Sequence, residues 1–336
     1  MTKLFLDALA GRPVARRPLW LMRQAGRYLP EYRELRKEHS FEELADSPEL
    51  SCEVTLQPLR RWPFDAAIIF ADLMSPVPSL GVPVRFAPGP VIDAPITSVA
   101  DVDKLARPSK GEIAPNVAEA LRLVKPNLPD GTALIGFAGA PLSIAAYMVE
   151  GQGKKSFPGL RAFAHAEEAA FGRLMERLVE TCALYMEAQV DSGAEALQIF
   201  DSWGGLFSLA DWRRLVEPHV RTLLESTAHL DVPRILYLQN TFHILDAALE
   251  LPADGFSLDW RVDMAGLRAK GVTKPLQGNL DPAILLAGPD ATRAAMKQLL
   301  ASVPKQGHLV NLGQGLMPTT PHASVEAMIE VVHGEE

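Results

Sequence analysis

Seven short apolar segments, most of them separated by amphipathic helical segments, are the feature that most constrains the fold of this chain. The apolar segments are nearly continuous rather than alternating, which is typical of strands buried on both faces of a parallel sheet. Helices between successive strands supply the crossovers that parallel pairing needs. We predict strands at 66–72, 133–139, 195–201, 234–240, 255–260, 275–280 and 308–314, with an eighth either at 18–22 or hidden in a helix-rich stretch.

The helical segments show apolar residues at three- and four-residue spacing. The longest predicted helix ends on Gly193, a residue type that is favoured just after a helix. Seven or eight strand–helix units in one chain favour an α/β fold of the (β/α)8 TIM-barrel type over a doubly wound sheet. No repeat, low-complexity segment or linker divides the chain, so we predict one domain over residues 1–336. The clearest helices are predicted at 163–193, 209–227, 291–303 and 323–333.

Charge and composition exclude several classes of function. The formal net charge is -8 and no Lys/Arg-rich tract occurs, which argues against a nucleic-acid partner. No apolar run approaches the ~18 residues that span a bilayer, and the first twelve residues, with Asp7 among them, indicate an amphipathic helix rather than a signal peptide. Cys52 and Cys182 are far apart and outside any C-x-x-C pair, so we expect neither a zinc cage nor a disulfide, and a reducing cytoplasm.

Polar or glycine-rich residues follow most of the predicted strands. Asp72 ends one strand, and Asp201 begins the segment Asp-Ser-Trp-Gly-Gly after another. In a (β/α)8 barrel the functional groups lie at the carboxyl ends of the strands, so these residues predict a site there. The chain has no dinucleotide, P-loop or nucleophile-elbow motif, and its histidines, including His219 and His229, are scattered. We therefore expect acid/base and electrostatic catalysis without a metal or nucleotide.

Four arginines crowd the segment LMRQAGRYLPEYRELR at residues 21–36 of this acidic chain. Arg23 and Arg27 flank Gln-Ala-Gly, and a guanidinium group is suited to bidentate binding of a carboxylate. One interpretation is a clamp for a ligand with several carboxylates. The other is a solvated helix face, on which Arg33 and Arg36 pair with Glu31, Glu34 or other carboxylates.

Residues 18–36 together with GFAGAPLSIAAYMVEG at 136–151 closely resemble the two signature segments of the uroporphyrinogen decarboxylase family. The likeness continues through EVTLQP, AAIIFADLM, LQIFDSWGG, LDW and QGNLDP, and so covers nearly the whole chain. The resemblance implies a cytoplasmic (β/α)8 homodimer that needs no cofactor or metal. It also implies that the four acetate groups of uroporphyrinogen III are converted to methyl groups, which yields coproporphyrinogen III.

The resemblance assigns roles to particular residues. A carboxylate at Asp72 would accept several pyrrole N–H groups and stabilise a cationic pyrrole from which CO2 leaves. Tyr147 and Ser202 match positions that contact the substrate, and Phe137 is either a pocket wall or a core residue. The predicted substrate-binding residues are Arg23, Gln24, Ala25, Gly26, Arg27, Asp72, Tyr147, Ser202 and Gln314, of which Arg23, Arg27, Asp72 and Tyr147 are the predicted catalytic residues.

Two departures from the family pattern keep alternatives open. Gln314 stands where the family usually has histidine, and Leu142-Ser143 replaces a more usual aromatic–threonine pair. Glutamine forms hydrogen bonds but does not titrate near neutral pH, so an inactive tetrapyrrole carrier is one alternative. A second is a zinc-dependent methyltransferase on the same barrel, which would need His and Cys ligands. A third is a structural or interaction protein.

Overall fold

A parallel β-sheet forms the centre of the molecule in the computed structural model, which describes residues 3–335. Within that range the sheet has seven strands, and their order in the sheet follows their order in the chain. Every neighbouring pair is parallel, as in the register of Ala66 with Ala133. The strands are β1 (Ala66–Ile68), β2 (Ala133–Gly139), β3 (Ala196–Asp201), β4 (Arg234–Leu238), β5 (Gly255–Leu258), β6 (Leu276–Gln277) and β7 (His308–Leu309).

Helices connect the strands and cover the sheet. Several begin at a Ser or Asp side chain that accepts a backbone N–H of the first turn, as Ser40, Ser98 and Asp263 do. They are α1 (Leu4–Leu9), α2 (Pro30–Glu38), α3 (Phe41–Asp46), α4 (Pro48–Arg61), α5 (Val99–Asp103), α6 (Pro115–Val124), α7 (Pro141–Glu150), α8 (Pro158–Ala166), α9 (Glu168–Asp191), α10 (Leu209–Leu215), α11 (Glu217–Ser226), α12 (Leu245–Ala248), α13 (Met264–Ala269), α14 (Pro282–Leu286), α15 (Pro289–Ser302) and α16 (His322–His333).

Shorter elements fill the connections. A two-stranded antiparallel ribbon pairs Arg85–Phe86 with Pro90–Val91. Single 3₁₀ turns occur at Val77–Leu80, Lys110–Glu112, Lys125–Asn127, Gly204–Leu206 and Ala228–Leu230.

The predicted α/β class and parallel strands are confirmed, but most predicted element boundaries are wrong. Only β2 has the predicted bounds; β1 ends at Ile68, four residues before Asp72. Asp72 therefore lies in the loop that follows β1, whereas Asp201 is the last residue of β3, as predicted. The helix predicted over 163–193 is interrupted at Glu167, and that over 209–227 is interrupted at Val216. Gly193 has φ +107, so it follows the helix end in a conformation that favours glycine.

The segment at residues 18–20 lies between the two edge strands of the sheet. Leu19 forms a parallel bridge with Val310, directly after β7. On its other side the carbonyl of Leu19 accepts the N–H of Asp65, directly before β1, at 2.8 Å. The sheet is therefore curled, because its first and last strands approach the same residue. The predicted eighth strand at 18–22 is reduced to this single bridge within residues 3–335.

A buried polar network fixes this segment from inside the sheet. The indole of Trp20 donates to Oε1 of Gln277 in β6 at 2.9 Å. The amide nitrogen of Gln277 in turn lies 2.9 Å from Ser257 Oγ and 3.2 Å from Gln198 Oε1. All four side chains are almost completely buried, and these hydrogen bonds give the Trp20 indole and the Gln277 amide protein partners in place of water.

Candidate active site

The loops after the strands place polar side chains at the carboxyl-terminal edge of the curled sheet, where functional groups of such folds lie. Each of these residues lies within five residues of the end of its strand. They are Asp72 after β1, Asp201 at the end of β3, Asn240 after β4, Asp259 after β5, Asn279 after β6 and Gln314 after β7.

The loop at residues 23–27 has a fixed backbone and two exposed arginine side chains. Arg23 has φ +64, a left-handed conformation that is uncommon outside glycine. The buried side chain of Gln24 accepts from Leu21 N–H at 3.0 Å and donates to the Ala66 carbonyl at 3.0 Å. Of the predicted substrate-binding residues, Gln24 thus has its side chain directed into the protein, where it anchors the loop to β1.

Arg33 and Arg36 hold backbone carbonyls rather than carboxylates. Arg33 donates to the carbonyls of Arg27 and Tyr28, at 3.1 and 2.9 Å, and Arg36 donates to the carbonyl of His39. Glu31 pairs instead with Arg61, and Glu34 with Lys37. The interpretation that Arg33 and Arg36 pair with Glu31 and Glu34 was therefore wrong. Arg33, on α2, instead supports the backbone of the arginine loop.

The guanidinium groups of Arg23 and Arg27 remain available to a ligand. Both residues are exposed, and neither forms an ion pair with a carboxylate anywhere between residues 3 and 335. Two unpaired guanidinium groups on a rigid loop are well suited to binding carboxylates.

Asp72 lies in the turn after β1 and is partly buried. Its Oδ1 accepts the N–H of Met74 at 2.9 Å, and its own N–H donates to Ser75 Oγ at 3.2 Å. Burial raises the pKa of Asp72 to about 6, while the Met74 hydrogen bond and the positive charge of Arg23 act in the opposite direction. The carboxylate thus also caps a local turn, and the next helical element is the 3₁₀ turn at Val77–Leu80.

Tyr147, on α7, belongs to the same electrostatic cluster. Burial raises the pKa of its phenol, the negative charge of Asp72 raises it further, and a polar contact with Trp203 and the charge of Arg23 lower it. The ring packs edge-on against Phe157 at 5.9 Å between centroids. The phenol therefore stays protonated at neutral pH, and its O–H is available to donate to a ligand.

Asp201 holds the loop that carries Ser202, a role that the sequence did not reveal. Its carboxylate accepts the Ser143 hydroxyl at 3.2 Å and the backbone N–H groups of Trp203 and Gly204. Ser143 Oγ also accepts the N–H of Ser202 at 3.0 Å. Complete burial raises the pKa of Asp201 to about 6, although these hydrogen bonds oppose the shift. No sequence signal pairs Ser143 with Asp201, because the two belong to different strand–helix units.

Gln314 lies in the loop after β7, beside the arginine loop. The backbone N–H of Leu316 donates to the Met22 carbonyl at 2.9 Å, and the Gly313 carbonyl accepts the Tyr237 hydroxyl at 3.0 Å. The side chain of Gln314 is partly buried and forms no hydrogen bond with any residue from 3 to 335. Its amide is thus placed beside Arg23 and is free to bind a ligand.

Two other residues of this edge also lacked a distinct sequence signal. Asp259 is almost fully buried and accepts the N–H groups of Asn240 at 2.6 Å and Arg261 at 2.8 Å. The guanidinium of Arg261 lies 4.0 Å from the ring centre of Trp260 and is half exposed. Arg261 also forms an ion pair with Asp259, at 3.6 Å between Nη1 and Oδ2, so its charge is compensated there. The charges of Asp259, Arg23 and Arg261 all reach Tyr237.

Phe137 is a packing residue in this structure. Its side chain is 6% exposed and packs edge-on against Phe200 at 5.6 Å between ring centroids. Phe200 packs in the same way on Tyr237, at 5.7 Å. These contacts favour the core interpretation over the pocket-wall interpretation, with the aromatic row forming the floor beneath the polar loops.

The described residues offer no ready metal site. Between residues 3 and 335, no group of three or more His, Cys, Asp or Glu side chains is arranged to hold a metal ion. Cys52 and Cys182 are both free thiols. Over the same part of the chain, no helix combines the length and apolarity needed to cross a membrane.

Comparisons with known proteins agree on one family. The family model for uroporphyrinogen decarboxylase matches residues 1–335. Uroporphyrinogen decarboxylase of Geotalea uraniireducens is 39% identical over 99% of this chain and 98% of its own length. That of Alkalilimnicola ehrlichii is 42% identical over 98% of this chain and 92% of its own length.

Solved structures support the fold alone. A methyltransferase from Methanosarcina mazei superposes with a TM-score of 0.83 at 18% identity, over 99% of both chains. A putative vitamin-B12 independent methionine synthase from Listeria monocytogenes gives a TM-score of 0.60 at 14% identity, over 100% of this chain and 98% of its own.

Proposed function

The chain belongs to the uroporphyrinogen decarboxylase family, and we propose that the loops carrying Arg23, Arg27 and Asp72 form its substrate cleft. Its activity is that of a carboxy-lyase: it decarboxylates the acetate groups of uroporphyrinogen III to methyl groups, giving coproporphyrinogen III for porphyrin and haem biosynthesis. The observation that carries the assignment of the site is the partly buried carboxylate of Asp72 opposite unpaired guanidinium groups.

Substrate binding uses the charges of the cleft. Uroporphyrinogen carries eight carboxylates, and the unpaired guanidinium groups of Arg23 and Arg27 bind some of them. The backbone of Gln24, Ala25 and Gly26 spaces the two arginines. The pyrrole N–H groups of the macrocycle are hydrogen-bond donors, and the free Oδ2 of Asp72 accepts them.

Chemistry follows from this placement. A proton added to a pyrrole ring carbon gives a cation, and the bond between the acetate CH2 and its carboxylate then breaks, so that its electrons neutralise the ring and CO2 leaves. Protonation of the resulting methylene gives the methyl group, and loss of the ring proton restores the pyrrole. Each acetate thus takes up one proton and releases one CO2. The anion of Asp72 stabilises the cation, and Tyr147, Ser202 and Gln314 hydrogen-bond the carboxylates and the acidic network.

Finer features of the family architecture complete this proposal. The segment around Leu19 takes the place of the eighth strand in a single (β/α)8 barrel domain that spans the chain. Its hydrogen bonds beside both edge strands support this assignment. The protein acts as a homodimer in the cytoplasm without a cofactor. The free thiols of Cys52 and Cys182 fit a reducing compartment.

An anaerobic assay tests the function directly. Purified protein is incubated with uroporphyrinogen III, released CO2 is measured, and the porphyrins are oxidised and separated by chromatography. We expect products with seven to four carboxylates and four CO2 released for each coproporphyrinogen formed, and turnover by Asp72→Asn that is slower by roughly 10²-fold or more. Binding of uroporphyrinogen without release of CO2 would contradict the enzyme assignment and favour the inactive carrier that Gln314 suggests. Stoichiometric zinc together with methyl transfer would favour the methyltransferase.

A further inference from the structure

We propose that Gly315 is a positioning residue for Arg23: its missing side chain leaves the space through which the Arg23 stem reaches the cleft. The proposal rests on the substrate-binding role of Arg23 given above. It concerns a contact between two loops that are far apart in the sequence, and it assigns to Gly315 a role in binding that its own chemistry does not suggest.

The geometry at Gly315 leaves no room for a methyl group. A Cβ placed there would lie 2.4 Å from Cδ of Arg23, 2.7 Å from Cγ and 3.0 Å from Nε. Real carbon atoms do not approach so closely without displacement of one partner. The side chain of Arg23 therefore crosses directly over the backbone of Gly315.

The backbones on both sides of this contact are fixed. Leu316 N–H donates to the Met22 carbonyl at 2.9 Å, and Met22 N–H donates to Oδ1 of Asn311 at 3.0 Å. Gly315 itself is not among the glycines with positive φ, so alanine at this position would meet no backbone strain of its own. A methyl group at position 315 must therefore displace the Arg23 side chain rather than the loops.

The conformation of Arg23 depends on this support. Its φ of +64 directs the side chain away from the course of an extended chain, and no carboxylate between residues 3 and 335 pairs with its guanidinium. Its charge nevertheless reaches Asp72, Tyr147 and Tyr237. Contact with the backbone of Gly315, rather than an ion pair, thus directs the guanidinium of Arg23 toward the cleft.

The experiment is a double-mutant cycle of Gly315→Ala and Arg23→Ala, assayed with uroporphyrinogen III. We expect Gly315→Ala to lower kcat/KM about tenfold, mainly through a higher KM, in the protein that retains Arg23. In the Arg23→Ala background the same change should alter kcat/KM less than twofold, because the displaced side chain is absent. Gly172→Ala on α9 is the matched control, since a Cβ there meets no atom within 4 Å.

Thermal unfolding of the same four proteins gives a readout that does not depend on turnover. The loss caused by Gly315→Ala should shrink when Arg23 is also alanine, and if the single variant fails to fold, the double variant must fold. Equal losses of kcat/KM or of stability in both backgrounds would overturn the proposal, as would an unaffected single variant. A wild-type protein that does not decarboxylate would instead overturn the proposed function and leave the unfolding cycle to decide this contact.

Discussion

At the scale of single residues, function and stability oppose each other at Asp72. Burial raises the pKa of this carboxyl from 3.8 to about 6, so the folded state holds a proton between these values that the unfolded state has released. The contribution of Asp72 to stability therefore falls as the pH rises from about 4 to 6. Above that range the ionised carboxylate continues to lower the free energy of unfolding. The charge that the proposed mechanism needs is thus one that folding disfavours.

Asp72→Asn should consequently be inactive and more stable. We expect a rate loss of roughly 10²-fold or more and, at pH 7, a gain in unfolding free energy of up to about 3 kcal/mol, since a pKa shift of one unit corresponds to about 1.4 kcal/mol. Urea unfolding at pH 7 and pH 4 measures this, and the gain should vanish at pH 4. In the wild type, kcat/KM should fall below pH 6 as Asp72 becomes protonated. A variant that turns over normally, or that is less stable at pH 7, would contradict the assignment.

Arg23→Lys and Arg27→Lys should each weaken substrate binding. Lysine keeps the charge but loses the planar fork that binds a carboxylate with two parallel hydrogen bonds, so we expect KM to rise several-fold. Because both guanidinium groups are exposed, wild-type binding should also weaken as salt is raised. Arg122→Lys, on an exposed ion pair with Glu119, is the control. Unchanged affinity in both variants together with insensitivity to salt would make these arginines structural.

Gln314→His should have a small effect if this position only helps to hold the macrocycle. We expect a change in turnover, or in the spread of partly decarboxylated intermediates, of less than about tenfold, or ~1.4 kcal/mol. In both proteins the activity should fall on the acidic side of about pH 6, where Asp72 becomes protonated. An additional step near the histidine reference pKa of ~6.5 should occur only in the variant. If the natural protein were inactive and histidine restored it, position 314 would carry an essential proton transfer.

At the scale of elements, the loop after β3 depends on one hydroxyl. Ser143→Ala removes the hydrogen bond to the buried Asp201 and the acceptor for the Ser202 N–H. We expect a loss of roughly 1–3 kcal/mol of stability, typical of a buried polar group left without its partner, and a lower kcat/KM. Ser143→Thr keeps the hydroxyl and should restore both values. Chemical unfolding and steady-state kinetics of the two variants measure this, and equal behaviour of Ala and Thr would argue against the role.

The elements also show where sequence reasoning succeeds and fails. Apolar runs and helical spacing predict which segments become strands and helices. They do not predict where a strand ends, because the loop residues that follow it were read as part of the strand. The break at Val216 was readable in principle, because Pro218 has no N–H for a continuous helix. Glu167 has no such signal. Asp72 and the arginine loop followed from strand ends and charge, whereas the Ser143–Asp201 contact depends on segments that meet only after folding.

At the scale of the whole molecule, Asp65 joins the segment at Leu19 to β1. Its carboxylate accepts the Leu19 N–H at 2.7 Å and binds Arg16 through two hydrogen bonds of 2.7 and 2.8 Å. Asp65→Asn removes the charge that neutralises a mostly buried guanidinium, so we expect a loss of about 2–4 kcal/mol. Glu119→Gln, in an exposed pair, should cost less than about 1 kcal/mol. Equal denaturation midpoints for the two variants would contradict this role of Asp65.

The bridge between Leu19 and Val310 also bears on the synthesis of the chain. The segment that leads into the arginine loop is synthesised long before Val310, the residue with which it pairs. Domains whose pairings are this distant in sequence pay the entropy of closing a long loop before the contacts form. A nascent chain therefore carries the arginine loop without its contact at Leu316 until that segment has been added, and the proposed cleft is complete only then.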